Sequence, residues 1–267
     1  MSWGATDLQV RFGKTVALDG VSIEIRAGSV HAVVGGDGAG KTTLLRILAG
    51  VGIQFDGRVR LPAPGRTGYV PPAGGVFGDL SVAENMEFIA DAYRLSSWRA
   101  RGEELLTRVG LEDYPDRLAA QLSGGQRRKL AGSMALLPEP ELLVLDEVTT
   151  GVDPVSRMDL WRLVAGAAAG GAGVVVATSY LDEAERAESV LLLHEGRTLA
   201  SGTPAEIIAG MRGSVSDVSE PREAATAWRK GRRWRQWNPD GRADSDRHVA
   251  LEDVAIVAEL MAEGVGR

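Results

Sequence analysis

The chain has 267 residues, 44% hydrophobic and 25% charged, the profile of a soluble globular protein with room for one substantial core and a small appended unit. It contains no cysteine, which excludes disulfides and thiolate metal sites, and its formal net charge of -6 argues against general nucleic-acid binding. No apolar stretch approaches the roughly 20 residues that span a bilayer. The opening MSWGATDLQVRFG lacks the layout of a signal peptide, so a cytoplasmic location is expected, with any membrane role exercised through a partner.

In chain order, LQVRF, VSIEI and SVHAVVG read as strands joined by the turns GKT and RAG. GGDGAG then leads into KTTLLRILAG, a short helix ending at Gly50, and RVRL and TGYV are two further short strands. From Ser81 to about Pro138 the pattern is helical: SVAENMEFIADAYRL, SSWRARGEELLTRVG and SGGQRRKLAGSMALLPEP. ELLVLD and GVVVAT are continuous apolar runs of buried strands, separated by the helix DPVSRMDLWRLVAGAAA. LDEAERAE reads as a helix, SVLLLHEGRTLASG as strand–turn–strand, and PAEIIAGM as a helix with proline at its start. After Met211 the composition turns to Arg, Asp, Ser and Gly. WRKGRRWRQW followed by NPDG reads as one strand and a turn, and residues 249–263 as a last amphipathic helix.

Buried strands alternating with helices predict an α/β fold around a mixed, mostly parallel sheet, with an antiparallel β part at the N-terminus and an inserted helical subdomain. The expected organisation is a main unit over residues 1–211, its helical insert at about 73–137, and a small extension over 212–267, for which a poorly ordered linker is the alternative.

Three motifs carry chemistry. Gly35-Gly36-Asp37-Gly38-Ala39-Gly40-Lys41-Thr42 follows a strand and opens a helix, the context a phosphate-binding loop requires. Its glycines let backbone N–H groups meet phosphate oxygens, the helix N-terminus adds partial positive charge, Lys41 reaches the β- and γ-phosphates, and the Thr42 hydroxyl suits Mg²⁺. Leu142-Leu143-Val144-Leu145-Asp146-Glu147 delivers two carboxylates at the end of a strand, Asp146 for Mg²⁺ and Glu147 for the attacking water. Leu122-Ser123-Gly124-Gly125-Gln126 reads either as a capped helix start or as a second anion site.

Together with GVDP, these motifs resemble the ATPase subunit of ATP-binding cassette (ABC) transporters over roughly residues 5–210. TTGVDPVSR, SYLDEAERAE and GRTLASGTPAEI are similar to stand-alone subunits of bacterial exporters. The resemblance implies a P-loop NTPase core that binds ATP and Mg²⁺ through the loop from Gly35 to Thr43, with Phe12 stacked on adenine. It implies a head-to-tail dimer, homo- or heteromeric, in which Ser123, Gly124, Gly125 and Gln126 reach the nucleotide held by the other protomer and Asp153 lies at the seam. It also implies a separate membrane permease, a peripheral position on the inner face of the cell membrane, and no nucleic-acid partner. Tyr69, Phe77 and Phe88 then fall around the surface that receives the permease.

The sequence departs from the family at three places. Ser179 stands where a histidine is usual, Pro72 where a glutamine is usual, and Val148 where a proline is usual. Ser179-x-x-Asp182 fits a capping box, so Ser179 is expected to cap a helix rather than touch phosphate. Two γ-phosphate sensors are thereby replaced, and slow ATP hydrolysis with preserved binding follows. The alternatives are an ATP-binding regulatory subunit with little hydrolysis, or a soluble ABC ATPase acting on ribosomes or nucleic acid.

The other features have plain readings. Arg229, Lys230, Arg232, Arg233 and Arg235 interleave with Trp228, Trp234 and Trp237, as on a strand with one solvated face. His31, His194 and His248 are packing or surface residues, and Trp98 and Trp161 are core or interface aromatics.

Overall fold

A computed structural model of the chain describes residues 1–241, 249–262, 264 and 265. The central sheet has six strands, in spatial order β5 (Thr67–Val70), β6 (Leu142–Asp146), β7 (Gly173–Thr178), β3 (Val30–Val34), β8 (Ser189–His194) and β9 (Arg197–Gly202). All neighbours are parallel except β8 and β9, which form the strand–turn–strand edge. Every residue of β6 and β7 is buried, because both faces of the sheet are covered.

Alternation along these strands divides their side chains between two cores. Leu142, Val144, Val175 and Ala177 pack with Leu44, Leu45 and Leu48 of α1 (Lys41–Leu48). The antiparallel sheet β2-β1-β4, made from Thr15–Arg26, Ser2–Phe12 and Asp56–Arg60, closes this face. Leu143, Leu145, Val174 and Val176 face the opposite core, built with α2 (Val82–Ala92), α3 (Arg99–Arg108), α4 (Gly124–Leu136) and α5 (Pro154–Ala169).

The helix starts are written in the sequence. Ser81 and Glu84 form a reciprocal capping box on α2, and Ser123 and Gln126 do the same on α4. Residues 129–136 of α4 are all buried. The helix meets α5 along one stripe: Gly125 against Asp153 and Ser156, Lys129 paired to Asp159 at 3.1 Å, and Gly132 against Leu160 and Leu163.

Three expectations are corrected. LDEAERAE yields only the short α6 (Leu181–Ala184). WRKGRRWRQW is two strands rather than one: β11 (Ala227–Lys230) turns at Gly231 and Arg232 into β12 (Arg233–Asn238), and β10 (Ser214–Val218) completes the sheet in the order β10-β12-β11. Arg235 is not on a solvated face. It is buried and paired with Asp253 of α8 (Leu251–Ala262) and with Asp217.

The last helix packs back on the main sheet. Leu251, Val254 and Ala255 share a core with Ala184, Val190, Leu192 and Ile207, the last from α7 (Pro204–Ala209). His31 is a packing residue as expected, His194 lies 3.8 Å from Glu259, and His248 and Glu263 lie outside the described residues. Trp161 is buried and Trp98 packs against the same core. Among the described residues, no helix is long and apolar enough to cross a membrane.

Candidate functional site

Four adjacent parallel strands, β5-β6-β7-β3, end side by side, and their C-terminal ends carry Pro71 and Pro72, Asp146 and Glu147, Thr178 and Ser179, and the Gly35 loop. The register aligns them: Val70 opposes Leu145, Asp146 opposes Ala177, and Val34 opposes Thr178. Ligands of open α/β sheets bind at this edge.

The loop is sterically obliged to be glycine-rich. A Cβ at Gly35 would lie 2.4 Å from the Leu193 carbonyl oxygen, and at Gly40 2.6 Å from that of Ala17. Gly38 and Gly40 have φ of 79° and 103°, which L side chains avoid. Beyond Gly36 and Gly38 nothing lies within 4 Å of where a Cβ would stand, so their backbone is open to a close-approaching ligand.

Lys41 is only 4% exposed. Its Nζ donates to the carbonyls of Gly35 (2.7 Å) and Gly36 (3.1 Å) and to Ser179 Oγ (3.5 Å), and stands 3.3 Å from Glu147 Oε1. One cation thus joins the loop, the β6 carboxylate and the β7 terminus.

The Thr42 hydroxyl donates to Asp146 Oδ1 at 3.3 Å. Asp146 is fully buried, and its Oδ2 has no hydrogen-bond partner among the described residues. Burial pushes its carboxyl above the ordinary carboxylate range, the Thr42 hydroxyl opposes this, and Glu147 adds to it. An orphaned buried carboxylate oxygen beside a threonine hydroxyl fits a hard cation that takes few protein ligands, as Mg²⁺ does. Among the described residues no cluster of three or more His, Cys, Asp or Glu forms a self-sufficient metal site. Glu147 itself has φ of 53°, an unfavourable conformation for a non-glycine residue, and such strain concentrates at functional positions.

Ser179 departs from the capping expectation. The N-cap position of α6 is Tyr180, with no side-chain cap, and the Tyr180 N–H is taken by Thr178 Oγ1 at 3.0 Å. Ser179 is exposed with its hydroxyl towards Lys41, because the preceding threonine already satisfies the turn.

Sequence reasoning missed Glu183. It is buried, and Oε2 accepts from Thr149 and Thr178 hydroxyls at 2.7 Å each, while Arg157 Nε lies 3.5 Å from Oε1. These contacts fix the segment after Glu147 to the end of β7. An acid in LDEAE looks like a solvated helix face, and no local signal distinguishes it.

Phe12 ends β1 and is 54% exposed, its ring free of the core. Ser123, Gly124, Gly125 and Gln126 gather with Asp153 instead. Ser123 and Gln126 bond each other, and Asp153 caps α5 by accepting from Val155 and Ser156, both at 3.0 Å. Those backbone bonds hold the Asp153 carboxyl below its ordinary range. Among the described residues no hydrogen bond or ion pair runs from Ser123–Gln126 to the loop 35–43.

A glycine loop between a central strand and a helix, beside a strand-end Asp-Glu pair, defines a P-loop nucleotide-binding protein of α/β class. The sequence profile described as ABC transporter matches residues 18–150. The daunorubicin resistance ATP-binding protein DrrA3 of Streptomyces coeruleorubidus is 36% identical over 221 residues, covering 78% of this chain and 70% of that protein. The "Probable multidrug ABC transporter ATP-binding protein YbhF" of Escherichia coli (strain K12) is 39% identical over 216 residues, 74% of this chain. This chain spans little more than a third (36%) of YbhF. Among solved structures, an ATP-binding subunit of an ABC transporter aligns with TM-score 0.71 at 28% identity, over 78% of this chain and 92% of that one. The chain belongs to the ABC transporter family, among its ATP-binding proteins.

Proposed function

We propose that the chain is the MgATP-binding subunit of an exporter-type ABC transporter, acting on the inner face of the cell membrane with a separate permease. The observation that carries this is the convergence of Lys41 on the Gly35 loop, Glu147 and Ser179 at the ends of adjacent strands. The relatives' names include multidrug, daunorubicin and Nod factor export, and they support the direction of transport.

In this reading the loop from Gly35 to Thr43 holds the triphosphate and the exposed ring of Phe12 stacks on the base. Thr42 and Asp146 hold Mg²⁺, which when bound neutralises phosphate charge. Lys41 exchanges its carbonyl partners for phosphate oxygens, and Glu147 takes the proton of the attacking water. Ser123, Gly124, Gly125 and Gln126 close on the nucleotide of a second ATPase protomer, identical or not, with Asp153 at the seam. The paired, exposed rings of Phe77 and Phe88, 4.5 Å apart, suit contact with the permease. Tyr69 does not join them, because it packs towards α1. The ATP-binding unit is residues 1–211, with the helical insert at about 73–137 and the extension at 212–267.

Ser179 offers a short neutral hydroxyl where an imidazole is usual, and Pro72 offers no polar side chain. A positioned acid–base group is worth ~10²–10⁴ in rate, so turnover is slow while binding survives. The test is ATP hydrolysis by the purified chain, by Glu147→Gln and by Ser179→His with Pro72→Gln. Glu147→Gln should abolish turnover and the double restoration should raise it. Negligible, Glu147-independent turnover with intact ATP binding would favour a second reading, a regulatory subunit, for which the same two replacements speak.

A further inference from the structure

Two side-chain bridges join the ends of β6 and β7. On the open side, Lys41 Nζ stands 3.3 Å from Glu147 Oε1 and 3.5 Å from Ser179 Oγ. On the buried side, Glu183 Oε2 accepts the hydroxyls of Thr149 and Thr178, each at 2.7 Å. Thr149 comes two residues after Glu147 and Thr178 directly precedes Ser179, so both bridges span the same two segments. The buried one is the stiffer, because hydroxyl–carboxylate bonds this short are among the strong ones. Backbone bonds brace its two arms. The Glu147 N–H donates to the Ala177 carbonyl at 3.1 Å, the Glu147 carbonyl accepts the Thr150 N–H at 3.2 Å, and Thr178 Oγ1 accepts the Tyr180 N–H at 3.0 Å. Glu183 is 1% exposed, and a carboxylate that deep needs donors and a cation nearby. Arg157, one turn into α5, supplies the cation: its Nε lies 3.5 Å from Glu183 Oε1, and its guanidinium sits 4.7 Å over the Tyr180 ring.

We propose that Glu183 is a positioning residue: by holding Thr149 and Thr178 on one carboxylate oxygen, it sets the spacing between Glu147 and Ser179 from the buried side. Glu147 needs such support, since its φ of 53° is a conformation that persists only where the surroundings enforce it. The support matters most when a phosphate draws Lys41 off Glu147, because the open bridge is then lost and the buried one remains. The effect on turnover rests on the nucleotide-binding reading above, whereas the tie between the two segments does not.

The test uses the full chain with Thr149→Val, which loses the hydroxyl, Thr149→Ser, which keeps it, Glu183→Gln, and the Thr149→Val/Glu183→Gln pair. Without nucleotide, Thr149→Val should speed amide exchange at Thr150 and Val152 about tenfold, and Thr149→Ser by less than about threefold. The melting-temperature losses of Thr149→Val and Glu183→Gln should combine to less than their sum, because they share one bond. With ATP, kcat of Thr149→Val should fall about tenfold while affinity for a fluorescent ATP analogue stays within about twofold, since misplacement costs turnover rather than binding. Thr149→Ser should hold kcat within about threefold of the parent. Ser29→Ala is the structural control. It too takes a hydroxyl from a carboxylate, that of Glu188 at 2.6 Å, but at the end of β3 opposite the Gly35 loop, so its kcat should match the parent whatever melting temperature it loses. Unchanged exchange with additive melting losses overturns the tie. An unchanged kcat in Thr149→Val, or a loss that serine does not rescue or that Ser29→Ala shares, overturns the positioning role. Should Lys41→Ala leave nucleotide affinity untouched, the nucleotide reading fails instead, and exchange and melting still decide the tie.

Discussion

Gly125→Ala separates packing from ligand contact within the Ser123–Gln126 motif. The added methyl would stand 2.5 Å from Ser156 Oγ, 2.8 Å from Ser156 Cβ and 3.0 Å from Asp153 Oδ2. Non-bonded carbon contacts prefer ~3.5–4.0 Å, so α4 and α5 must part by roughly 1 Å or the serine must leave its rotamer. Overpacking of this kind costs ~1–3 kcal/mol, and the better helix propensity of alanine returns just under ~1 kcal/mol. The net loss is about 0–2 kcal/mol, and at ~2–4 °C per kcal/mol for a chain of this size the melting temperature falls by up to about 8 °C. Gly124→Ala is the control, because nothing lies within 4 Å of its Cβ position. It has the propensity gain without the clash, so its melting temperature should stand above that of Gly125→Ala by the overpacking cost, about 2–12 °C. Differential scanning calorimetry reads both, and Ser156→Gly should restore most of the Gly125→Ala loss by removing the two closest contacts. Equal melting temperatures for the two alanine variants would refute the steric argument. In the proposed function Gly124→Ala should nonetheless lower turnover, because its open face meets the partner's nucleotide.

Two further predictions concern charge. His31 is buried between Ser189 Oγ, 2.7 Å from Nδ1, and the Arg26 N–H, which Nε2 accepts at 3.0 Å. It is therefore neutral, and burial holds its pKa below the ordinary 6.5. The unfolded chain binds this proton more readily, so the stabilisation is complete above about 6.5 and is lost as pH falls from there through the folded value. Melting scans from pH 7.5 to 5.5 should show a decline that His31→Gln lacks; parallel curves would contradict it. Asp253 is fully buried, paired with Arg235, and accepts the Ala250 N–H at 2.9 Å. Asp253→Ala removes one of the carboxylates on the Arg235 guanidinium and the acceptor of the Ala250 N–H, and should cost ~1.5–3 kcal/mol, read as early proteolytic release of the extension after Met211. Cleavage at the parental rate would mean that the pair does not anchor α8.

Much of this site is legible because its constraints are local. LLVLDE and GVVVAT are continuously apolar since both faces of β6 and β7 are covered, and the glycines at 35 and 40 answer to carbonyls that would collide with a side chain. What escaped the sequence depends on partners far along the chain or on competition between neighbours. Ser81-x-x-Glu84 and Ser179-x-x-Asp182 are the same pattern, yet only the first forms a capping box. At the second, Thr178 takes the turn N–H first and Ser179 is released towards Lys41. Arg235 reads as solvated because Asp253, which buries it, is 18 residues away. Glu183 likewise looks like helix surface until β7 is set beside it.

In the proposed function Lys41, the Gly35 loop and Asp146 hold a nucleoside triphosphate with Mg²⁺. Titration of the full chain with a fluorescent ATP analogue, with and without Mg²⁺, tests it most directly when repeated on Lys41→Ala and Asp146→Asn. Binding should be saturable and weakened at least about tenfold by Lys41→Ala, a charged hydrogen bond being worth ~1.5–3 kcal/mol. The Mg²⁺ dependence of that binding should be lost in Asp146→Asn. Equal affinity in parent and Lys41→Ala, with or without the metal, would contradict it.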